Sequence, residues 1–217
     1  LRGKLAVPDS LLVRSPPQFF HHERNPDMKV VAFNGSPRKD GNTALMINRV
    51  FTVLNQEGID TELIQVGGGL FHGCTACYQC GMNKNNRCVQ NDPVNDWIEK
   101  MRTADGIILA SPTYFADITP EMKALIDRAG FVARSNDSFL KRKVGAAVIA
   151  LRRGGGIHAF DSINHFFLIQ QMLIPGSCYW NMGFGRDKGE VLKDEEADKT
   201  MALLGENMAW LIKKTMA

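Results

Sequence analysis

The stretch Lys29-Val30-Val31-Ala32-Phe33-Asn34-Gly35-Ser36-Pro37-Arg38-Lys39-Asp40-Gly41-Asn42-Thr43 carries the reading of the fold. After the lysine it opens on a short apolar, β-branched run, the pattern of a buried strand. Asn34-Gly35 ends that run, and Gly41 breaks the chain again just before Asn42. Over residues 42–56, Ala44, Ile47, Phe51 and Leu54 then recur on one face of an amphipathic helix. Strand, glycine-bearing loop and helix in succession are the opening of a β-α-β unit.

The same alternation continues downstream. Residues 61–66 read as a second strand, ended by Gly67-Gly68-Gly69. Asp92-Pro93 starts a helix to about Met101, with proline at its first position. Residues 106–110 read as a third strand, and Thr119-Pro120 opens a helix with Met122, Leu125, Ile126 and Ala129 on one face. Residues 143–151 read as a fourth strand, followed by Gly154-Gly155-Gly156 and a helical stretch to about Leu173. A fifth short strand is expected at 177–182, with Cys178 on it as a small buried hydrophobe, and a helix at 194–216.

Five strands alternating with five helices, the strands near-continuously apolar, predict a parallel sheet covered on both faces. A closed barrel needs eight such units and about 250 residues, more than the 217 present. The expectation is an open, doubly wound α/β sheet. Ligands of such sheets sit at the carboxyl ends of the strands, which directs attention to the loops 34–43, 67–91, 111–119 and 152–158.

Composition narrows the class. Apolar residues make up 44% and charged residues 23%, ordinary values for a globular chain rather than a disordered or fibrous one. The net charge of +3 is too small, and its basic residues too scattered, to suggest nucleic acid. The longest apolar run, 144–151, is far shorter than a membrane helix requires. Residues 1–27 contain Pro8, Pro16, Pro17 and Pro26 without periodic apolar patterning. They read as an N-terminal extension or arm ahead of a domain at 28–217. Leu11-Leu12-Val13 is too short for the core of an export signal. A reducing, cytoplasmic compartment is therefore expected.

The first loop is built for an anion. Ser36 and Thr43 offer hydroxyls, Gly35 and Gly41 permit tight turns, Arg38 offers a charged fork, and a helix N-terminus opens near Asn42. The triphosphate motif G-x-x-x-x-G-K-[ST] does not fit, because the glycines are spaced one residue wider and Asn42 replaces the lysine. A single terminal phosphate, as on FMN, fits best. In the third loop, Ser111-Pro112-Thr113-Tyr114-Phe115 places two aromatics where a flat ring can stack.

Taken together, Gly35 to Thr43 and Ser111 to Arg128 resemble the flavodoxin-like NAD(P)H-dependent FMN reductase family over about residues 28–217. The resemblance implies a five-stranded sheet of order 2-1-3-4-5 with FMN at its carboxyl edge and NAD(P)H as a donor. It implies that Ser36, Arg38, Asn42 and Thr43 hold the phosphate and that Pro112, Thr113, Tyr114 and Phe115 line the ring. Arg152 and Gly154 match a third flavin loop in position, with Arg152 and Arg153 as candidates to stabilise an anionic reduced ring. No protein acid or base is obligatory. A homodimer or homotetramer is the implied assembly. His158 and His165 are read as surface or core residues, with His158 also a candidate for the flavin edge.

Cys74, Cys77, Cys80 and Cys88 form a compact set, C-x2-C-x2-C-x7-C. Three cysteines at steps of three can wrap one corner of a cubane. The arrangement, long last gap included, resembles the iron–sulfur flavoproteins of this fold, which carry a [4Fe–4S] cluster beside FMN. Zinc, with His72 as a further ligand, and free thiols stand as alternatives. The functions in contention are a flavin reductase with or without the cluster, a ferredoxin-linked electron carrier, and a thiol or metal sensor.

Overall fold

The computed structural model describes residues 28–216, so the arm expected at 1–27 lies outside the described residues. Strand β1 (Lys29–Asn34) is buried from Val30 onward, because it runs through the middle of a parallel sheet with a strand on either side. The other strands are β2 (Asp60–Gln65), β3 (Gly106–Pro112), β4 (Val144–Leu151) and β5 (Met182–Phe184). The sheet order is β2-β1-β3-β4-β5, and every pairing is parallel.

Alternation along the strands divides the interior into two cores. Val31, Phe33, Ile107, Leu109, Ala147 and Ile149 face one way. There they pack on α3 (Val94–Thr103), α4 (Pro120–Ser135) and α5 (Gly156–Ile169). Val30, Ala32, Ile108, Ala110, Ala146 and Val148 face the other way. These meet α1 (Asn42–Gln56) and α6 (Glu195–Met216). A sixth helix, α2 (Gln79–Asn83), lies within the cysteine segment, which the sequence reading leaves as loop.

Strand β2 is the exception to the apolar pattern. It is an edge strand, and its Glu62 binds Lys29 of β1 at 2.6 Å and also Lys100 of α3. Hydrogen bonds from Lys100 and then Lys29 hold the Glu62 carboxyl below its ordinary pKa. Such charges on an edge discourage pairing with a further chain.

Thr119-Pro120 opens α4 as expected. The Thr119 hydroxyl oxygen accepts the Met122 N–H at 3.4 Å, and Pro120 takes the first helical position. The same hydroxyl donates to the Gly35 carbonyl at 2.9 Å, tying the third loop to the first.

The fifth strand and its cysteine need correction. Pairing with β4 begins at Asn181, whose carbonyl accepts the Ile149 N–H at 2.9 Å, and runs through β5 rather than through 177–182. Residues 177–180 instead turn: the Ser177 hydroxyl lies 2.5 Å from the Tyr179 carbonyl and 2.7 Å from Asn181 Oδ1. Cys178 is therefore exposed, not a buried hydrophobe. Helix α5 also stops early, at Ile169, because Gln171 takes a left-handed φ of 59° and Leu173 turns back to bond beside β4.

Candidate functional site

The chain leaves β1 toward β2 on one side and returns to β3 on the other. That reversal opens a crevice at the carboxyl ends of the central strands. A cleft of about 260 Å³ occupies it. It brings together Ser36, Arg38, Asn42, Thr43, Pro112, Thr113, Tyr114 and Arg152, all expected from the sequence. Gly185 and Arg186, from the segment after β5, complete it.

The anion end is well formed. Helix α1 begins after Gly41 with no side-chain cap and no acidic residue in its first turn, so its free N–H groups and dipole remain available. Ser36 Oγ accepts the Arg38 N–H at 3.2 Å, which leaves its own proton to donate into the cleft. Asn42 behaves differently from the expectation of a phosphate ligand. Its Nδ2 donates to the Asp187 carbonyl at 3.0 Å, and its Oδ1 accepts the Gly189 N–H at 2.9 Å. The amide staples α1 to the segment that carries Arg186. No acidic side chain lines the cleft among the described residues, whereas Arg38, Arg152 and Arg186 all do.

At the ring end, Thr113 Oγ1 is buried without a hydrogen-bond partner. A buried orphan hydroxyl in a polar cleft is a position where a ligand atom fits. Two expected residues stand elsewhere. Phe115 sits at the tip of a turn closed by Tyr114 and Asp117 and is fully exposed. Gly154 lines a neighbouring cavity of about 270 Å³ with Arg153, Tyr179 and Trp180. His158 is also exposed, with Nε2 3.4 Å from Asp117 Oδ2. Burial alone would raise the Asp117 pKa. Hydrogen bonds from the Ile118 N–H and Ser162, with His158 beside it, outweigh that and lower it.

The four cysteines line one small cavity of about 20 Å³ against α4, and none is in a disulfide. Two buried asparagines clamp the segment. Asn95 of α3 accepts the Cys88 N–H at 2.7 Å and donates to the carbonyls of Cys88 (3.0 Å) and Gln90 (2.8 Å). Asn136, just past α4, accepts the Asn86 N–H at 3.0 Å and donates to the Cys80 carbonyl at 3.3 Å. Left-handed backbone at Ala76, Tyr78, Lys84 and Asn86 winds the chain between these anchors. The Gln79 N–H and then the Thr75 hydroxyl hold the Cys77 thiol below its ordinary pKa.

Arg128 of α4, 1% exposed, forms part of the same wall. It grips the Asp92 carboxylate with both terminal nitrogens, at 2.5 and 2.9 Å. The sequence reading gives none of Asn95, Asn136, Arg128 or Asp92 a role at the site. Among the described residues no three His, Cys, Asp or Glu side chains are arranged around a single metal ion. A [4Fe–4S] cubane asks for something else, one thiolate at each of four corners. The donor set here, four unpaired thiols around one cavity, has that chemistry.

Residues 28–187 match the family model described as NADPH-dependent FMN reductase. An iron-sulfur flavoprotein of Methanocaldococcus jannaschii is 34% identical over 86% of this chain and 98% of its own length. One from Methanosarcina thermophila is 36% identical over 73% of this chain and 81% of its own. Among solved structures, a flavodoxin, WrbA-like protein from Agrobacterium tumefaciens superposes with a TM-score of 0.61 at 15% identity, covering 87% of this chain and 98% of that one. That last likeness speaks for the flavodoxin-like fold alone. Fold, cleft and matches agree: the chain belongs to the NADPH-dependent FMN reductase family and is a flavin-dependent oxidoreductase.

Proposed function

We propose that this chain is an iron–sulfur flavoprotein that moves electrons between a donor and small acceptors, using FMN in the cleft and a [4Fe–4S] cluster on Cys74, Cys77, Cys80 and Cys88. The observation that carries the cluster half is the set of four unpaired thiols around a single clamped cavity. The names of the relatives support it.

When bound, FMN accepts a hydride as two electrons and releases them singly, while the cluster takes one electron at a time. The chain's own residues do the rest. Ser36, Thr43 and the uncapped start of α1 hold the phosphate, with Arg38 and Arg186 supplying charge. Asn42 fixes the spacing between the two walls. Pro112, Thr113 and Tyr114 shape the ring site, and the Thr113 hydroxyl gives the ring edge a hydrogen-bond partner. Arg152 places a cation where negative charge collects on reduction. Asn95 and Asn136 hold Cys88 and Cys80 in position before any iron arrives. Cys77 and Tyr78, which border the water-sized cavity, are both exposed.

NAD(P)H or a ferredoxin-type protein is the donor in this reading, in a cytoplasmic homodimer or homotetramer. No helix among the described residues is long and apolar enough to cross a membrane.

The test is the visible spectrum of anaerobically purified protein before and after dithionite, with iron and FMN assayed on the same sample. Flavin bands over a broad brown shoulder, with about four irons per chain, bear the proposal out. Flavin bands without iron after anaerobic reconstitution leave an FMN-only NAD(P)H:flavin or quinone reductase. The narrowness of the cavity, about 20 Å³, favours that second reading. No retained flavin leaves a thiol or metal sensor.

A further inference from the structure

The cysteine cavity has one wall that ligation of iron does not explain. Arg128 is among the largest fully buried side chains of the protein. Its Nη1 donates to the His72 carbonyl at 3.2 Å and to Asp92 at 2.5 Å. Its Nη2 donates to Asp92 at 2.9 Å and to the Gln90 carbonyl at 3.4 Å. His72 lies two residues before the first cysteine and Gln90 two after the last, so the guanidinium ties both ends of the loop to α4. That much is structural.

The remaining donor, Nε–H, is buried and has no partner. Buried donors are rarely left unpaired. An arginine also costs desolvation that an apolar side chain of the same length would avoid. The charge is placed asymmetrically as well. Arg128 lines the cavity, whereas Asp92 does not. The ion pair therefore presents its positive member to the cavity that Cys74, Cys77, Cys80 and Cys88 line.

We infer that Arg128 is a positioning and tuning residue for the cluster, setting a buried hydrogen-bond donor and positive charge against its Cys88 side and raising its reduction potential. The inference rests on the four-cysteine reading above. Its physical basis is elementary: a cluster bound by four thiolates gains negative charge on reduction. A fixed cation in a low-dielectric wall favours that reduced form.

The experiment uses the full chain, reconstituted anaerobically, with iron content assayed and the cluster potential read by electron paramagnetic resonance during redox titration. Arg128→Met removes the charge and donor at similar length. Asp92→Asn removes the balancing charge and leaves the arginine. The expected result is a pair of opposite shifts. Arg128→Met lowers the reduced-to-oxidised ratio at fixed potential about tenfold, or roughly 59 mV for a one-electron couple, and Asp92→Asn raises it. A role confined to packing moves both variants the same way or neither, and that outcome overturns the inference. Should Arg128→Met fail to fold or to hold iron, Asp92→Asn decides alone: a raised potential supports the inference, an unchanged or lowered one overturns it. A wild-type chain that takes up no iron refutes the cluster itself, a distinguishable failure.

Discussion

Gly67, two residues past the end of β2, presses directly on the phosphate loop, and Gly67→Ala tests whether that contact sets the loop. An added methyl carbon would stand 2.3 Å from the Ser36 carbonyl carbon, 2.4 Å from the Gly35 oxygen and 2.5 Å from the Ser36 oxygen. Ordinary contact lies near 3.5–4.0 Å between carbon atoms, so the loop must retreat by about 1 Å. Retreat strains the Gln65 amide, whose Nε2 now reaches both the Ser36 carbonyl (2.6 Å) and the Gly67 carbonyl (2.7 Å). Overpacking costs about 1–3 kcal/mol, and a weakened hydrogen bond adds about 1. A loss of roughly 3 kcal/mol in equilibrium urea unfolding of the flavin-free protein is expected. Displacement of Ser36 removes one bond to a charged phosphate, about 1.5–3 kcal/mol, or roughly 10- to 100-fold in FMN affinity by fluorescence-quenching titration. Gly68→Ala is the control. Its methyl would meet nothing closer than 3.7 Å, and its φ of +77° carries only left-handed strain of about 1–2 kcal/mol. Equal FMN affinity in the two variants would refute the claim that β2 positions the phosphate loop.

Three further outcomes are expected. Thr113→Val removes the orphaned hydroxyl, so the flavin-free protein should gain about 0.5–1 kcal/mol while FMN binding weakens about tenfold; parallel unfolding and flavin titrations would read this opposition. Asn95→Leu strands the Cys88 N–H and the carbonyls of Cys88 and Gln90. A loss of about 2–4 kcal/mol and faster reaction of Cys88 with a thiol reagent should follow, the latter read by mass spectrometry. Glu62 has a folded pKa below its ordinary 4.5, so its stabilisation is full above that value and disappears as the pH falls through the depressed one. The urea-midpoint gap between wild type and Glu62→Gln should thus be flat from pH 7 to about 5 and narrow as the pH falls below 4.5. Half-exposed lysines keep it to about 1 kcal/mol or less; a gap already absent at pH 7 would count against the ion pairs.

The sheet was legible because buried parallel strands leave continuous apolar runs, and β1, β3 and β4 have them. The fifth strand was misplaced because Tyr179 and Trp180 favour strands locally. The pairing is decided instead by Asn181, whose Nδ2 donates to the Ala147 carbonyl at 3.0 Å, a contact across 34 positions. Sequence placed most of the cleft, since its residues sit in the loops that follow β1, β3 and β4. It overreached at Phe115 and Gly154, because loop membership does not say which way a turn points. Arg186 was missed because the segment after β5 is recruited by Asn42, at a range that no local pattern encodes. Arg128 did leave a signal: it falls three residues after Leu125 and four before Val132, a charge on a face otherwise apolar.

The uncapped start of α1 and the arginines around it have a consequence for the empty protein. Arg38, Arg152 and Arg186 share a cleft with a positive helix end, and no carboxylate among the described residues lines that cleft. Such a site is in tension with itself until an anion arrives, and the tension eases as salt screens it over roughly 10 Å at 0.1 M. Occupancy then becomes a thermodynamic support for the whole domain, about 2.7 kcal/mol when free ligand reaches a hundred times its dissociation constant. A chain newly made while FMN is scarce would thus be the more fragile one, and flavin supply would govern how much of it endures.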